Sequence, residues 1–245
     1  MPRLRDPLLW LLSLLLFLLL GMPLLEPIFA AAFPATTPPI YADYSFLELF
    51  LFHAEYVVLS SLAAAFVGVG LGIVATREWG EEFRPILEAL ATIGQTFPPV
   101  AVLALAVPAF GYGPLPTMVA LTLYGILPIL KNTLAGLGSV PAGVREAGEA
   151  MGLTRFQLLR DVELPLAAPT ILAGIRISVI INIGTAAIGS TVGAVTLGNP
   201  IIGGLVNGKV AYVIQGALVV GVFAIMTDLL FERLDRRLRR FARRD

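Results

Sequence analysis

The chain of 245 residues has no cysteine, a single histidine and few charges, 14% of the total. Without cysteine there is no disulfide, no thiolate metal site and no thiol nucleophile; the absence says nothing about compartment. His53 has no cysteine or carboxylate cluster to share a metal with, and its expected place is the outer membrane surface. No HExxH motif is present, and serines such as Ser60 and Ser61 have no base partner, so an enzyme embedded in the membrane has no visible machinery. Lys+Arg and Asp+Glu stand at 17 each, so no surplus of positive charge calls for nucleic acid.

What fills the chain is hydrocarbon. Hydrophobic residues make up 57%, against about 45–50% in soluble domains, whose charged share is about 25%. Apolar runs of span length settle the class as a membrane protein, since crossing a bilayer takes roughly 20 residues. Uncharged runs extend from Pro7 to Leu25, from Tyr56 to Thr76 and from Ala89 to Leu130, the last divided by the turn cluster Phe110–Pro114. Leu164 to Gly208 is interrupted by charge only at Arg176, and Val210 to Thr227 follows. The expected fold is all-α, a polytopic bundle of six transmembrane helices. The first run also has features of a secretory signal peptide, with arginines before it and Ala30-Ala31-Ala32 after, but its length and the five later spans favour an uncleaved helix.

Basic residues set the orientation. With both termini cytoplasmic, the inner segments hold Arg3, Arg5, Arg77, Arg84, Arg145, Arg155 and Arg160 together with seven arginines between Arg233 and Arg244; the outer segments hold only Lys209. The positive-inside rule selects this topology, and a basic tail suits anionic headgroups. The expected organisation is an N-terminal helix and outer loop over 1–54, a core domain over 55–232 and a basic cytoplasmic tail over 233–245.

The longest polar segment between spans, Gly138 to Leu164, falls on the inner side and has helical structure written into it. Glu146 and Glu149 suit the early turns of a helix from Val144 to Met151, and Gly152 suits its left-handed end. Thr154 and Gln157 have capping-box spacing for a second short helix, and Pro165 suits the first turn of the next span. Two hinged helices joined rigidly to a span form a lever.

Glu146-Ala147-Gly148-Glu149-Ala150-Met151-Gly152, followed nine residues later by Val162-Glu163-Leu164-Pro165, resembles the EAA loop of ABC importer permeases; Gly148 replaces that pattern's second alanine. The resemblance implies a type I importer permease fold, with a coupling segment over 143–165 docked on ABC ATPase subunits. Glu146, Ala147, Gly152, Thr154, Phe156, Leu164 and Pro165 are the residues it assigns to coupling. It implies no cofactor in this chain, with ATP and Mg bound by the partner ATPase. It also implies an extracytoplasmic substrate-binding protein, a second permease that is either another copy or a paralogue, the lipid bilayer as surroundings and no nucleic acid. The setting is multi-pass in a prokaryotic inner membrane.

Gln95-Thr96-Phe97-Pro98, Ala120–Thr133 and Leu164–Arg176 resemble the glycine betaine, carnitine, choline and proline branch, the osmoprotectant importers. Departures lie at Phe97, Lys131 and Gly193–Gly198, the last leaving another small solute such as an amino acid open as cargo. Aromatic faces hold a quaternary ammonium, and Phe97, Phe110, Tyr112, Tyr124 and Tyr212 are available, although aromatic residues also form interfacial belts. Prolines in the third and fourth spans free backbone carbonyls that line a cavity or find neighbours. The expected translocation path is therefore drawn through Gln95, Thr96, Phe97, Pro98, Tyr124, Asn132 and Arg176. Arg176 serves there as a gate or as half of a structural pair. Gly68 with Gly72, and Gly189 with Gly193, are spaced for close helix contact.

Overall fold

A peptide group inside a bilayer finds no water to bond, so an apolar chain closes its own hydrogen bonds, and a helix is the form in which one segment does so alone. The computed structural model describes residues 6–241 apart from Trp79 and Gln95, with side chains as far as Leu238, and no strand occurs among the described residues. The helices in chain order are α1 (Pro7–Leu20), α2 (Glu26–Ala32), α3 (Phe46–Ala75), α4 (Arg84–Gly94), α5 (Pro99–Phe110) and α6 (Pro114–Gly138). They continue as α7 (Ala142–Ala150), α8 (Arg155–Gln157), α9 (Leu164–Ala186), α10 (Gly198–Val206) and α11 (Val210–Phe241).

Among the described residues, four runs are long and apolar enough to cross a membrane: Phe46–Ala75, Pro114–Gly138, Arg155–Val192 and Val210–Leu238. At ~1.5 Å per residue α3 is about 45 Å long, more than the ~30 Å hydrocarbon thickness. Two bent pairs, Pro7–Leu20 with Met22–Ala32 and Glu81–Gly94 with Pro99–Phe110, raise the number to as many as six where each counts as one span.

The all-helical expectation holds, with corrections that have local causes. The first run is not one straight helix, because the chain turns by 82° after Gly21, where Pro23 and Pro27 stop α1 from continuing. The second span starts earlier than Tyr56, at Phe46, with Glu48 and His53 on the helix. His53 is fully buried rather than interfacial; its Nε2 lies 3.0 Å from the Ile183 carbonyl. The third run breaks between Gly94 and Pro99, because Pro98 is held extended at ψ 134° and Pro99 opens the next helix. The run after Arg176 is not one helix to Gly208: α9 tightens to a 3-10 turn at Ala187–Val192, and α10 follows separately. Gly193 makes no helix contact there; it turns the chain at φ +87°.

The chain divides into two compact units. One gathers the chain up to Ser60 with Pro98–Leu121 and Ile180–Leu230. In it the segment after Phe33 is strapped to the start of α11. Lys209 Nζ donates to the Thr37 carbonyl, Tyr212 Oη to Pro38 and Gln215 Nε2 to Pro39, at 2.8–3.0 Å, and Gln215 Oε1 accepts from Tyr41 N–H. Tyr41 packs edge-on against Phe46 and Tyr212. Burial, helped by Asp43, raises its phenol pKa well above the usual value, so Tyr41 stays neutral.

The other unit holds Ser61–Phe97, Thr122–Val179 and the chain from Phe231. α6 is its hub. A Cβ on Gly68 would lie 3.0 Å from Ile129, one on Gly72 2.5 Å from Thr133, and one on Gly174 2.6 Å from Asn132. These glycines bring α3 and α9 into backbone-close contact with α6. Leu137, Ala167 and Ile171 form an apolar cluster with Val69, Ile73, Leu159 and Leu164.

Gly72→Leu overpacks the α3–α6 contact and lowers the stability of the chain in nanodiscs by about 1–3 kcal/mol. Gly70→Ala, whose Cβ meets nothing within 4 Å, stays within about 0.5 kcal/mol of the parent or above it. A thermal unfolding series on the two variants checks the contrast.

Candidate functional site

The segment between α6 and α9 carries the sequence's strongest motif, and its conformation is determined residue by residue. Pro141 is extended and starts α7. The end of α7 is a complete Schellman motif: Leu153 N–H donates to the Gly148 carbonyl at 3.1 Å and Gly152 N–H to Glu149 at 2.9 Å. Gly152 supplies the required left-handed residue at φ +82°. Gly148 is buried, and a Cβ there would come within 2.6 Å of Leu158 Cδ1. The glycine that departs from the EAA pattern thus admits the leucine of the following turn.

Thr154 then caps α8. Its Oγ1 accepts from Gln157 N–H at 3.3 Å, and Gln157 Oε1 accepts from Thr154 N–H at 2.9 Å, completing the expected box. The expectation of a separate second helix, with Pro165 opening the next span, is corrected. α8 continues into α9 through a π turn, Leu158–Glu163, in which Leu164 N–H reaches back to Leu159. Pro165 has no N–H, and its ring crowds the carbonyl four residues earlier; the wider turn absorbs both defects without ending the helix.

That turn places Glu163 inward, its side chain 3% exposed between two arginines. Arg77, just beyond α3, brings Nη2 to 2.8 Å from Oε2, and Arg145 of α7 brings Nε to 2.9 Å from Oε1. Neither Arg145 Nε–H nor Glu163 Oε2 is aligned as a hydrogen bond, so the attraction is chiefly Coulombic. Removing one arginine leaves the buried carboxylate with a single partner, at a cost below the about 3–5 kcal/mol of a fully buried pair, because the arginines are 23% and 36% exposed. Arg145 Nη2 also donates to the Leu137 carbonyl at the end of α6. A cavity of about 310 Å³ opens beside this cluster between Thr76, Glu78, Glu149 and Phe156. On its rim Arg155 pairs with Glu78 at 2.9 Å, both more than 70% exposed, a contact worth at most about 1 kcal/mol.

The outward face of the segment is apolar at three places: Met151 is 75% exposed, Phe156 68% and Val144 39%. Glu146, Ala147 and Glu149 are exposed beside them, and Pro165 is exposed on the continuing helix. Large apolar side chains standing free on a polar segment mark an interaction surface.

The second expected group is only partly brought together. Tyr124, almost buried, donates its hydroxyl to the Phe97 carbonyl at the α4–α5 break. Thr96 Oγ1 donates to Ile93 and Asn132 Nδ2 to Pro128, at 2.7 and 2.8 Å. The Phe97 ring is 50% exposed. Gln95 lies outside the described residues, and Arg176 is half-buried and has a partner. No group of three or more metal-ligating side chains occurs among the described residues.

Glu163, Arg77 and Arg145 are functional candidates that sequence reasoning missed. The adjacency of Glu163 to Leu164-Pro165 was visible; that an arginine far upstream meets it was not.

A family described as the inner membrane component of binding-protein-dependent transport systems matches residues 68–240. The osmoprotectant import permease protein OsmY of Salmonella typhimurium is 41% identical over 186 residues, which is 76% of this chain and 79% of that protein. The glycine betaine/carnitine/choline transport system permease protein OpuCD of Bacillus subtilis is 39% identical over 194 residues, 78% of this chain and 83% of its own. The choline transport system permease protein OpuBB of the same organism is 39% identical over 187 residues, 75% and 85% of the two chains. Among solved structures, the MetNI methionine ABC transporter in inward-facing conformations matches with TM-score 0.69 at 22% identity, over 78% of this chain and 95% of that one. That likeness shows the fold.

Thr154→Ala removes the cap and costs α8 about 1 kcal/mol. Hydrogen exchange at the Gln157 and Leu158 amides is then expected to quicken about fivefold, while exchange within α6 is unchanged.

Proposed function

Because this chain belongs to the family of inner membrane components of binding-protein-dependent transport systems, we propose that it forms the translocation path for a quaternary-amine osmoprotectant. It is a transport subunit and not an enzyme; in this family the ATPase is a separate subunit. The cargo we assign is of the glycine betaine, choline or carnitine kind, supported by the printed substrates of relatives at about 40% identity across most of their length.

The observation that carries the coupling mechanism is the exposed apolar face at Val144, Met151 and Phe156. In this reading Phe156 seats in a groove of the ATPase, with Glu146 and Ala147 on the same contact. Gly152 and Thr154 hold the angle between α7 and α8. Leu164 and Pro165 carry movement into α9 without a joint, since the helix is continuous across them. Closure of two ATPases on ATP and Mg would switch the bundle between inward- and outward-facing states. Arg77, Arg84, Arg145, Arg155, Arg160 and the tail arginines support an inner location for this face, in a prokaryotic cell membrane with both termini cytoplasmic. The complete importer then needs a second permease, identical or paralogous, and an extracytoplasmic binding protein that delivers the solute.

For the path we assign Thr96, Phe97 and Pro98 at the α4–α5 break and Tyr124, which bonds to it; Asn132 and Gln95 join them as polar candidates drawn from the sequence. A half-exposed phenylalanine offers the face that a quaternary ammonium, which has no N–H to donate, requires. Arg176 repels a cationic group and fits a gate better than a binding residue.

Reconstitution with the cognate ATPase and binding protein tests the assignment. ATP-dependent uptake of radiolabelled glycine betaine or choline is expected; flux that needs no ATP, or uptake confined to other solutes, overturns it. Phe156→Ala is expected to lower uptake at least tenfold with insertion intact, and Glu146→Gln to leave ATP hydrolysis running with little uptake. Alanine at Gln95, Thr96 and Asn132 together should weaken uptake while ATPase binding persists; wild-type uptake in that triple variant refutes the path.

A further inference from the structure

We propose that Glu163 is a positioning residue that clamps the end of α3 to the coupling segment, so that the ATP-driven stroke enters the bundle through α3 as well as through α9. The proposal rests on the coupling role assigned to that segment.

Chain continuity alone delivers movement of α8 to α9. It delivers none to α3, whose nearest covalent link to the segment runs through the whole of α4, α5 and α6. The buried carboxylate supplies the missing connection. Arg77 follows the last turn of α3, and its Nη2 lies 2.8 Å from Glu163 Oε2 and 3.1 Å from Thr76 Oγ1, which itself donates to the Ile73 carbonyl at 2.8 Å. Arg145 adds α7 on the other carboxylate oxygen and reaches the last turn of α6 through Leu137. One side chain thus ties the ends of α3, α6 and α7 to the π turn that starts α9.

Burial decides that this tie holds while its neighbours exchange. Parting Glu163 from the arginines strands a charge where its side chain is 3% exposed, whereas the Arg155–Glu78 pair, 82% and 76% exposed, trades freely with water. The apolar cluster of Leu137, Ala167 and Ile171 with Ile73 and Leu159 spans the same helix ends, so the clamped block is packed as well as charged. From α3 the movement passes to α6 at once, because Gly68 and Gly72 leave no slack against Ile129 and Thr133. The π turn acquires a purpose as well: it keeps the helix intact across Pro165 while placing Glu163 between the arginines.

The test is Glu163→Gln in the reconstituted complex with ATPase and binding protein, with ATP hydrolysed and solute transported measured on the same vesicles. Uptake per ATP is expected to fall at least tenfold while the ATPase still co-purifies and hydrolyses ATP. This ratio does not change with the amount of folded protein, so a loss of stability alone leaves it untouched. Arg77→Gln should reproduce the loss and Arg77→Lys should restore part of it. Unchanged uptake per ATP in Glu163→Gln and Arg77→Gln overturns the clamp. If Glu163→Gln does not assemble, spin labels on Glu78→Cys, beside Arg77, and Asp161→Cys, on the π turn, both exposed and outside the docking face, decide in the otherwise native complex. The same distance with and without ATP supports a rigid block, and a nucleotide-dependent distance overturns it. Failure of the parent complex to couple ATP to uptake counts against the coupling role itself, which separates the two outcomes.

Discussion

Where a helix breaks or meets a proline inside hydrocarbon, a peptide carbonyl loses its partner and no water takes its place; at three such points among the described residues a side chain or a change of helical pitch meets the need. At the α4–α5 break Tyr124 donates to the Phe97 carbonyl. Where α9 gives way to the 3-10 turn at Ala187–Val192, His53 meets the Ile183 carbonyl. That carbonyl only accepts, so Nε2 carries the hydrogen. At Pro165 the π turn Leu158–Glu163 takes up the defect with longer-range bonds of its own.

The same accounting explains what was legible in the sequence. Uncharged runs are enough for a bundle of four to six spans, because burial in lipid is a composition effect read over some 20 residues. Gly152, Thr154 and Gln157 were also legible, since helix caps depend on side chains within a few positions of one another. The breaks were harder. Pro165 and Pro99 look alike as helix-starting prolines, yet one sits inside a continuous helix and the other opens a new one, the difference lying in whether the preceding turn widens. His53 read as interfacial because its partner, a carbonyl of α9, leaves no mark in composition. Glu163 and Arg77 were invisible as a pair for the same reason, as nothing local announces a contact between segments so far apart in the chain.

Placed together, these features describe a machine with few soft points. α6 is held to α3 and α9 through glycines that admit no gap, and the polar segment is held to the helix ends by a carboxylate that water does not reach. What remains free is the apolar face of Met151 and Phe156, the exposed Arg155–Glu78 pair, and the interruption near Phe97. A protein that passes work from a soluble partner to a membrane path needs stiffness between the two and freedom at each end.

Because the chain contains no cysteine, one measurement reaches the central claim directly. Met151→Cys is treated with a membrane-impermeant maleimide in intact cells and in inverted vesicles, with and without the ATPase bound. Labelling only in inverted vesicles, and protection once the ATPase binds, is the result that an inner coupling face predicts. Labelling from outside intact cells, or labelling in inverted vesicles to which the bound ATPase makes no difference, contradicts it.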